Sequence, residues 1–117
     1  HKIHRGAELE NLPYIVYGYR SSVHDYSEVH YPGDLRNCET CHVEDSYGVP
    51  LPEGALPTVS PAADIPVMEP ITATCLSCHD GSSSVSHALA NTSAFGESCE
   101  TCHGDGKSAS VDRVHAR

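Results

Sequence analysis

The chain has 117 residues, of which 38% are hydrophobic, and a formal net charge of −9. This length suits one domain, and the acidic charge argues against binding to nucleic acid or anionic lipid by charge attraction. The chain is poorly suited to form a close-packed core or a membrane span, since it has no Trp, one Phe, one Met, nine Gly and eight Pro. We therefore expect another component to supply apolar mass or cross-links.

Three consecutive segments make up the single predicted domain, residues 1–117. Residues 1–47 are rich in Tyr and His, and the stretch LPYIVYGYR predicts one short strand or hairpin. Residues 48–70 hold six of the eight prolines and predict an extended, polyproline-like segment lying across the cofactor-binding surface. Residues 71–117 contain two short helical patterns, SSVSHALAN and SVDRVHAR. Asp80 or a following Ser is expected to cap the first of these helices.

All six cysteines fall into three C-x-x-C-H motifs. Their members are Cys38, Cys41 and His42 in the first motif, Cys75, Cys78 and His79 in the second, and Cys99, Cys102 and His103 in the third. A disulfide framework does not require a His after every second Cys. Zinc explains the pattern poorly, because three cysteine pairs do not divide evenly into four-cysteine sites. A thioredoxin-like redox centre needs a single C-x-x-C in a βαβ setting.

Covalent attachment of c-type haem accounts for every residue of each motif. Positions i, i+3 and i+4 share one face of a helical turn. Both thiols can therefore form thioethers to haem vinyl groups while the His, as proximal ligand, reaches the iron from the same side. The sequence predicts three covalently attached c-type haems. The predicted fold is mostly irregular and organised by these haems, with a few short helices at the motifs and near the C-terminus.

Six histidines lie outside the motifs, and three irons need at most three of them as distal ligands. Nine His against one Met favour bis-histidine ligation. The leading distal candidates lie in short helical patterns or beside a carboxylate, as His24 does with Asp25; they are His24, His87 and His115. His4 and His1 are reserve candidates. His30, beside Tyr31, is interpreted as a surface or stacking residue.

Several strings resemble the haem domains of OmcA/MtrC-family outer-membrane cytochromes, which are bacterial multihaem proteins that pass electrons to extracellular acceptors. These strings are HKIHRGAELE, YGYRSSVHDYSEVHYPGDLRNCETCH, CLSCHD, SHALANTS, GESCETCHGDG and VDRVHAR. Together they span nearly the whole chain. The resemblance implies bis-histidine haems and supports His24, His87 and His115 as distal ligands. It also implies that HKIH derives from a ligand-bearing motif.

The sequence therefore predicts an electron-transfer protein and not an enzyme. Covalent haem implies maturation outside the cytoplasm, and a start at His1 instead of Met predicts removal of a signal peptide. We expect an extracellular or cell-surface location, with the periplasm as the alternative, and other redox proteins or extracellular electron acceptors as partners. A further hypothesis is a head-to-tail filament in which His1 or His4 ligates an iron of a neighbouring subunit. The alternatives are a small multihaem reductase with one open haem site and a monomeric periplasmic shuttle.

Overall fold

The computed structural model describes residues 1–44, 46–60 and 63–115. Over these ranges, short helices and two-stranded antiparallel hairpins are joined by irregular segments. The helices are α1 (Lys2–Arg5), α2 (Pro70–Leu76), α3 (Ser82–Ala90), α4 (Glu100–His103) and α5 (Val111–His115). The strands are β1 (Ile15–Tyr17), β2 (Val23–Asp25), β3 (Thr58–Val59), β4 (Val67–Met68), β5 (Thr92–Ser93) and β6 (Gly96–Glu97). The prediction of a mostly irregular fold with few short helices is confirmed.

The strand predicted from LPYIVYGYR is present as β1, which pairs with β2 so that Val16 lies opposite His24. Two further hairpins, β3–β4 and β5–β6, were not indicated by the sequence. The first of them lies within the Pro-rich segment, where the four strand residues are all non-proline and can supply backbone N–H groups. Residues 61–62 of that segment and residues 116–117 of the C-terminal helical pattern lie outside the described residues.

The polypeptide has almost no apolar core. Among the described residues, the buried apolar side chains are Leu9, Val49 and Leu76, while Leu56 is 81% exposed and Phe95 fully exposed. The accessible surface is 8383 Å², whereas a folded protein of this mass exposes about 6,200 Å². The radius of gyration is 14.9 Å, against about 13.4 Å for a compact chain of this length. The chain by itself therefore leaves much apolar surface uncovered, as its composition suggested.

A buried carboxylate fixes the N-terminal segment to the second motif. Asp80, which follows that motif directly, accepts the backbone N–H groups of Glu10 and Asn11 at 2.9 Å each. The side-chain amide of Asn11 in turn donates to the backbone oxygen of Asp80. Burial tends to raise the pKa of Asp80, but the N–H donors outweigh it and hold the pKa below its usual value. Asp80 therefore does not cap α3, whose N-cap is Gly81.

A second carboxylate holds the start of α2. Pro70 occupies the first turn of this helix, where its missing N–H costs nothing. Glu97 on β6 accepts the next two backbone N–H groups, those of Ile71 at 2.9 Å and Thr72 at 2.5 Å. The hydroxyl of Thr72 also lies 3.0 Å from that of Thr92 on β5. The β5–β6 hairpin is thereby fastened to α2, which contains the first cysteine of the second motif.

Candidate haem-binding sites

Each C-x-x-C-H motif closes one helical turn. In all three copies the backbone N–H of the His donates to the carbonyl oxygen of the first Cys, at 2.8, 2.9 and 2.9 Å along the chain. The N–H of the second Cys approaches the same oxygen at 3.1, 3.2 and 3.2 Å. This bonding sets the two thiols and the imidazole on one face of the turn. The chain thus presents the same arrangement of three side chains three times.

Each motif histidine faces one histidine from outside the motifs. We call each such pair, with the two cysteines of its motif, a site, numbered as its motif is. The ring centroids are 5.7 Å apart for His1 and His42, 6.0 Å for His79 and His115, and 6.1 Å for His87 and His103. No histidine belongs to two of these pairs. Six of the nine histidines in the chain are therefore matched one to one.

The spacing within a pair suits one metal ion held between two imidazoles. Metal–imidazole bonds of about 2.0 Å place two nitrogens on opposite sides of an ion about 4 Å apart. The Nε2 atoms of His1 and His42 are 3.4 Å apart, so a small ring movement would admit an ion. Ordinary ring contacts span similar distances, but they would not select one motif and one non-motif histidine three times. The described ranges contain no group of three or more His, Cys, Asp or Glu side chains arranged around a common metal position.

Hydrogen bonds at Nδ1 orient several of these rings. The Nδ1 atom of His103 lies 2.9 Å from the carbonyl oxygen of Ala109, and that of His115 lies 2.9 Å from the carbonyl oxygen of Val111. A carbonyl accepts only, so Nδ1 carries the proton and Nε2 keeps its lone pair for a metal. For His42, the nearest Nδ1 partner is the hydroxyl of Ser46 at 3.4 Å. The second and third sites thus each contain a ring whose Nε2 is available as a ligand.

Two of the three leading distal candidates lie beside a motif histidine. His87 is on α3 and His115 on α5, both in the predicted helical patterns. The third, His24, is exposed on β2, where its Nε2 lies 3.1 Å from the Ser22 hydroxyl. Asp25, expected beside the ring of His24, instead accepts the backbone N–H of Ser27 at 2.9 Å.

The place opposite His42 is taken by His1, a reserve candidate. The other reserve candidate, His4, packs on Tyr31 with ring centroids 5.5 Å apart. The sequence signal for His1 was the HKIH string itself, but nothing local distinguishes its two histidines. His1 and His42 lie 41 positions apart in the chain, and only the folded chain brings them together.

The second site adjoins both others. Glu97, two residues before Cys99, accepts the N–H groups of Ile71 and Thr72 at the start of α2, which contains Cys75, so the second and third motifs lie close together. Towards the first motif, Cys38 and His115 line one cavity of about 340 Å³. His115 belongs to the second site, so this cavity lies between the first and second sites.

The paired histidines and the repeated motif are features of multihaem c-type cytochromes. A family model of outer membrane cytochrome MtrC/MtrF-like domains II/IV matches residues 1–116, and the chain belongs to this family. The resemblance noted in the sequence is thereby confirmed. A search of curated proteins and a search of solved structures found no significant match.

The family consists of haem c cytochromes of the outer membrane or extracellular space that act in electron transfer. Such cytochromes exchange electrons with redox partners. Among the described helices, none has the length and apolar character needed to cross a membrane.

Proposed function

We propose that this chain is a three-haem electron-transfer domain in which every iron is held by two histidines. The observation that carries the proposal is the one-to-one matching of motif and non-motif histidines. The proposed axial pairs are His42 with His1, His79 with His115, and His103 with His87. His24 stays outside this set. The cysteines of each motif form the thioethers, as the spacing of the motif predicts.

Bound c-type haem supplies one-electron chemistry, because its iron alternates between the ferric and ferrous states. The residues of the chain determine how this chemistry is used. The two imidazoles of each pair would hold one iron between them, which would favour transfer of electrons over binding of a substrate. Nδ1 hydrogen bonds to backbone carbonyls hold the rings of His103 and His115 in orientation. The two cysteines of each motif would attach one haem covalently to their own helical turn.

The large uncovered apolar surface of the chain supports the proposal that haems are part of the folded protein. A cavity of about 280 Å³ beside the first site is lined by His1, by Leu51 and Leu56 of the Pro-rich segment, and by Pro70 of α2. This supports the expectation that residues 48–70 cover a cofactor. Burial of such groups would supply the hydrophobic stabilisation that three buried apolar side chains cannot.

The second site is central in the proposed pathway. It adjoins the first site through the cavity that Cys38 and His115 share, and the third site through Glu97 and the start of α2. Electrons entering at either end would therefore pass through the second site. The proposed role is electron transfer at the cell surface or outside the cell, with other redox proteins or extracellular acceptors as partners. A periplasmic location is the alternative.

A haem reductase is the first rival function. It requires an iron with an open axial position, and the three complete histidine pairs favour three saturated irons instead. Intact-mass spectrometry and optical spectroscopy of the native protein test the proposal together. We expect the mass of the polypeptide plus three haems and a low-spin spectrum unchanged by carbon monoxide. A bare polypeptide mass, a zinc adduct or a carbon monoxide complex would contradict the proposal.

A filament of head-to-tail subunits and a monomeric shuttle are the two proposals for assembly. The filament hypothesis uses His1 or His4 as a ligand for a neighbouring subunit's iron. Pairing of His1 with His42 within one chain leaves His1 unavailable for that role. With all three pairs formed within one chain, a filament would depend on packing between subunits and not on a shared ligand. Light scattering and electron microscopy of native material at moderate salt distinguish the two, because salt screens the repulsion between subunits of charge −9. A monomer at high concentration would contradict the filament.

A further inference from the structure

Glu97 connects the second and third motifs. It ends β6, shortly before Cys99 at the start of the third motif. Its side chain points in the other direction, to the first turn of α2, whose far end contains Cys75. One carboxylate oxygen accepts the N–H of Ile71 at 2.9 Å and the other accepts the N–H of Thr72 at 2.5 Å. A single partly buried carboxylate is thus fastened to the elements that carry both motifs.

The two hydrogen bonds fix this negative charge in place. A carboxylate that accepts two backbone N–H groups is held in one position by charge-assisted hydrogen bonds. The charge also lies near both motifs, because Glu97 stands two residues before Cys99 and its carboxylate binds the start of the helix that contains Cys75.

We propose that Glu97 is a positioning residue shared by the second and third sites, which holds them in register and lowers the reduction potential of both. The inference rests on the proposed function. A fixed negative charge stabilises a ferric iron more than a ferrous one, because the ferric form carries one more positive charge. A partly buried carboxylate is screened less by water and salt than an exposed one. The first site is not joined to Glu97 by any of the contacts above, so its potential should be independent of this residue.

The test is a potentiometric titration of the haem-loaded protein, followed optically, for wild type and Glu97→Gln. Gln keeps the length of the side chain and one hydrogen-bond acceptor but removes the charge. We expect two of the three midpoint potentials to rise and one to stay. Potentials that all stay, or that all rise together, would overturn the inference.

Two matched variants separate charge from packing. Thr92→Val breaks the hydroxyl contact with Thr72 at the same junction but leaves the Glu97 charge, and we expect unchanged potentials. Glu100→Gln removes a charge from the third motif without touching the junction, and we expect a smaller shift at one haem. If the midpoint potentials of Thr92→Val rise as much as those of Glu97→Gln, then loosening of the junction between α2 and the β5–β6 hairpin, and not the lost charge, sets the potentials.

A third variant keeps the test valid if Glu97→Gln does not take up its haems. Glu97→Asp retains the charge on a shorter side chain, and we expect it to keep potentials close to those of the wild type. A rise at two haems in Glu97→Asp would overturn the electrostatic role. Failure of the proposed function would be seen separately, as a wild-type protein without three low-spin haems.

Discussion

The imidazoles of His79 and His115 face each other with their centroids 6.0 Å apart, although one ends the second motif and the other ends the last helix. A hydrogen bond between Nδ1 of His115 and the carbonyl oxygen of Val111, at 2.9 Å, orients the distal member of the pair. Since Val111 begins the same helix, formation of α5 also orients the ring. The short C-terminal helix thus supports one ring of this pair.

Removal of either helical distal histidine should open one iron. We expect His115→Ala and His87→Ala each to convert one low-spin haem to a high-spin haem and to raise its reduction potential, because one strong-field nitrogen ligand is lost. Optical and electron paramagnetic resonance spectra measure the change, and carbon monoxide should then bind at one haem per chain. His30→Ala, which alters an exposed histidine outside the pairs, serves as the control. Unchanged spectra in His87→Ala would refute its proposed ligation to the third site.

For the first site, the structure and the sequence favour different distal histidines. We expect His1→Ala to produce one high-spin haem and His24→Ala to leave the spectrum of the folded protein unchanged, because His1 and not His24 faces His42. The two variants remove the same side chain, so each is the control for the other. The reverse result would restore His24 as the distal ligand of the first site.

Asp80 should affect both stability and ligation. In Asp80→Ala the N–H groups of Glu10 and Asn11 lose their acceptor, which should cost about 1–3 kcal/mol of unfolding free energy. Chemical denaturation of the haem-loaded protein measures this loss. A loosened N-terminal segment should also leave a fraction of high-spin haem at the first site. Asp105→Ala, at an exposed position, should change neither quantity, and equal effects from both variants would argue against a specific role of Asp80.

The folded state should depend on haem. Polypeptide made without haem attachment has three buried apolar side chains among its described residues, too few to offset the conformational entropy of folding. We expect circular dichroism of this apoprotein to lack a cooperative thermal transition. The haem-loaded protein, measured under the same conditions, should show one. A cooperative transition in the apoprotein would mean that contacts such as those of Asp80 and Glu97 suffice for folding.

Local chemistry was predictable from the sequence. The i, i+3, i+4 spacing of Cys38, Cys41 and His42 is realised within one turn, and such a turn depends on adjacent residues alone. The β-branched stretch containing Ile15 and Val16 formed the strand that its composition favours, paired with β2. The shortage of core residues was also readable from composition, which is independent of how the chain folds.

The pairing of the histidines was decided by tertiary structure. In the sequence His24 stands beside Asp25, and His1 and His4 stand in HKIH, but neither context shows which of the three faces His42. Only the folded chain shows that His1 lies opposite His42, 41 positions away, and the same holds for the long-range contact of Asp80 with the backbone at Glu10 and Asn11. Backbone N–H groups are the same in every residue, so a carboxylate that binds them leaves no pattern in the sequence. The histidine that faces His42 is therefore a feature that only the folded chain displays.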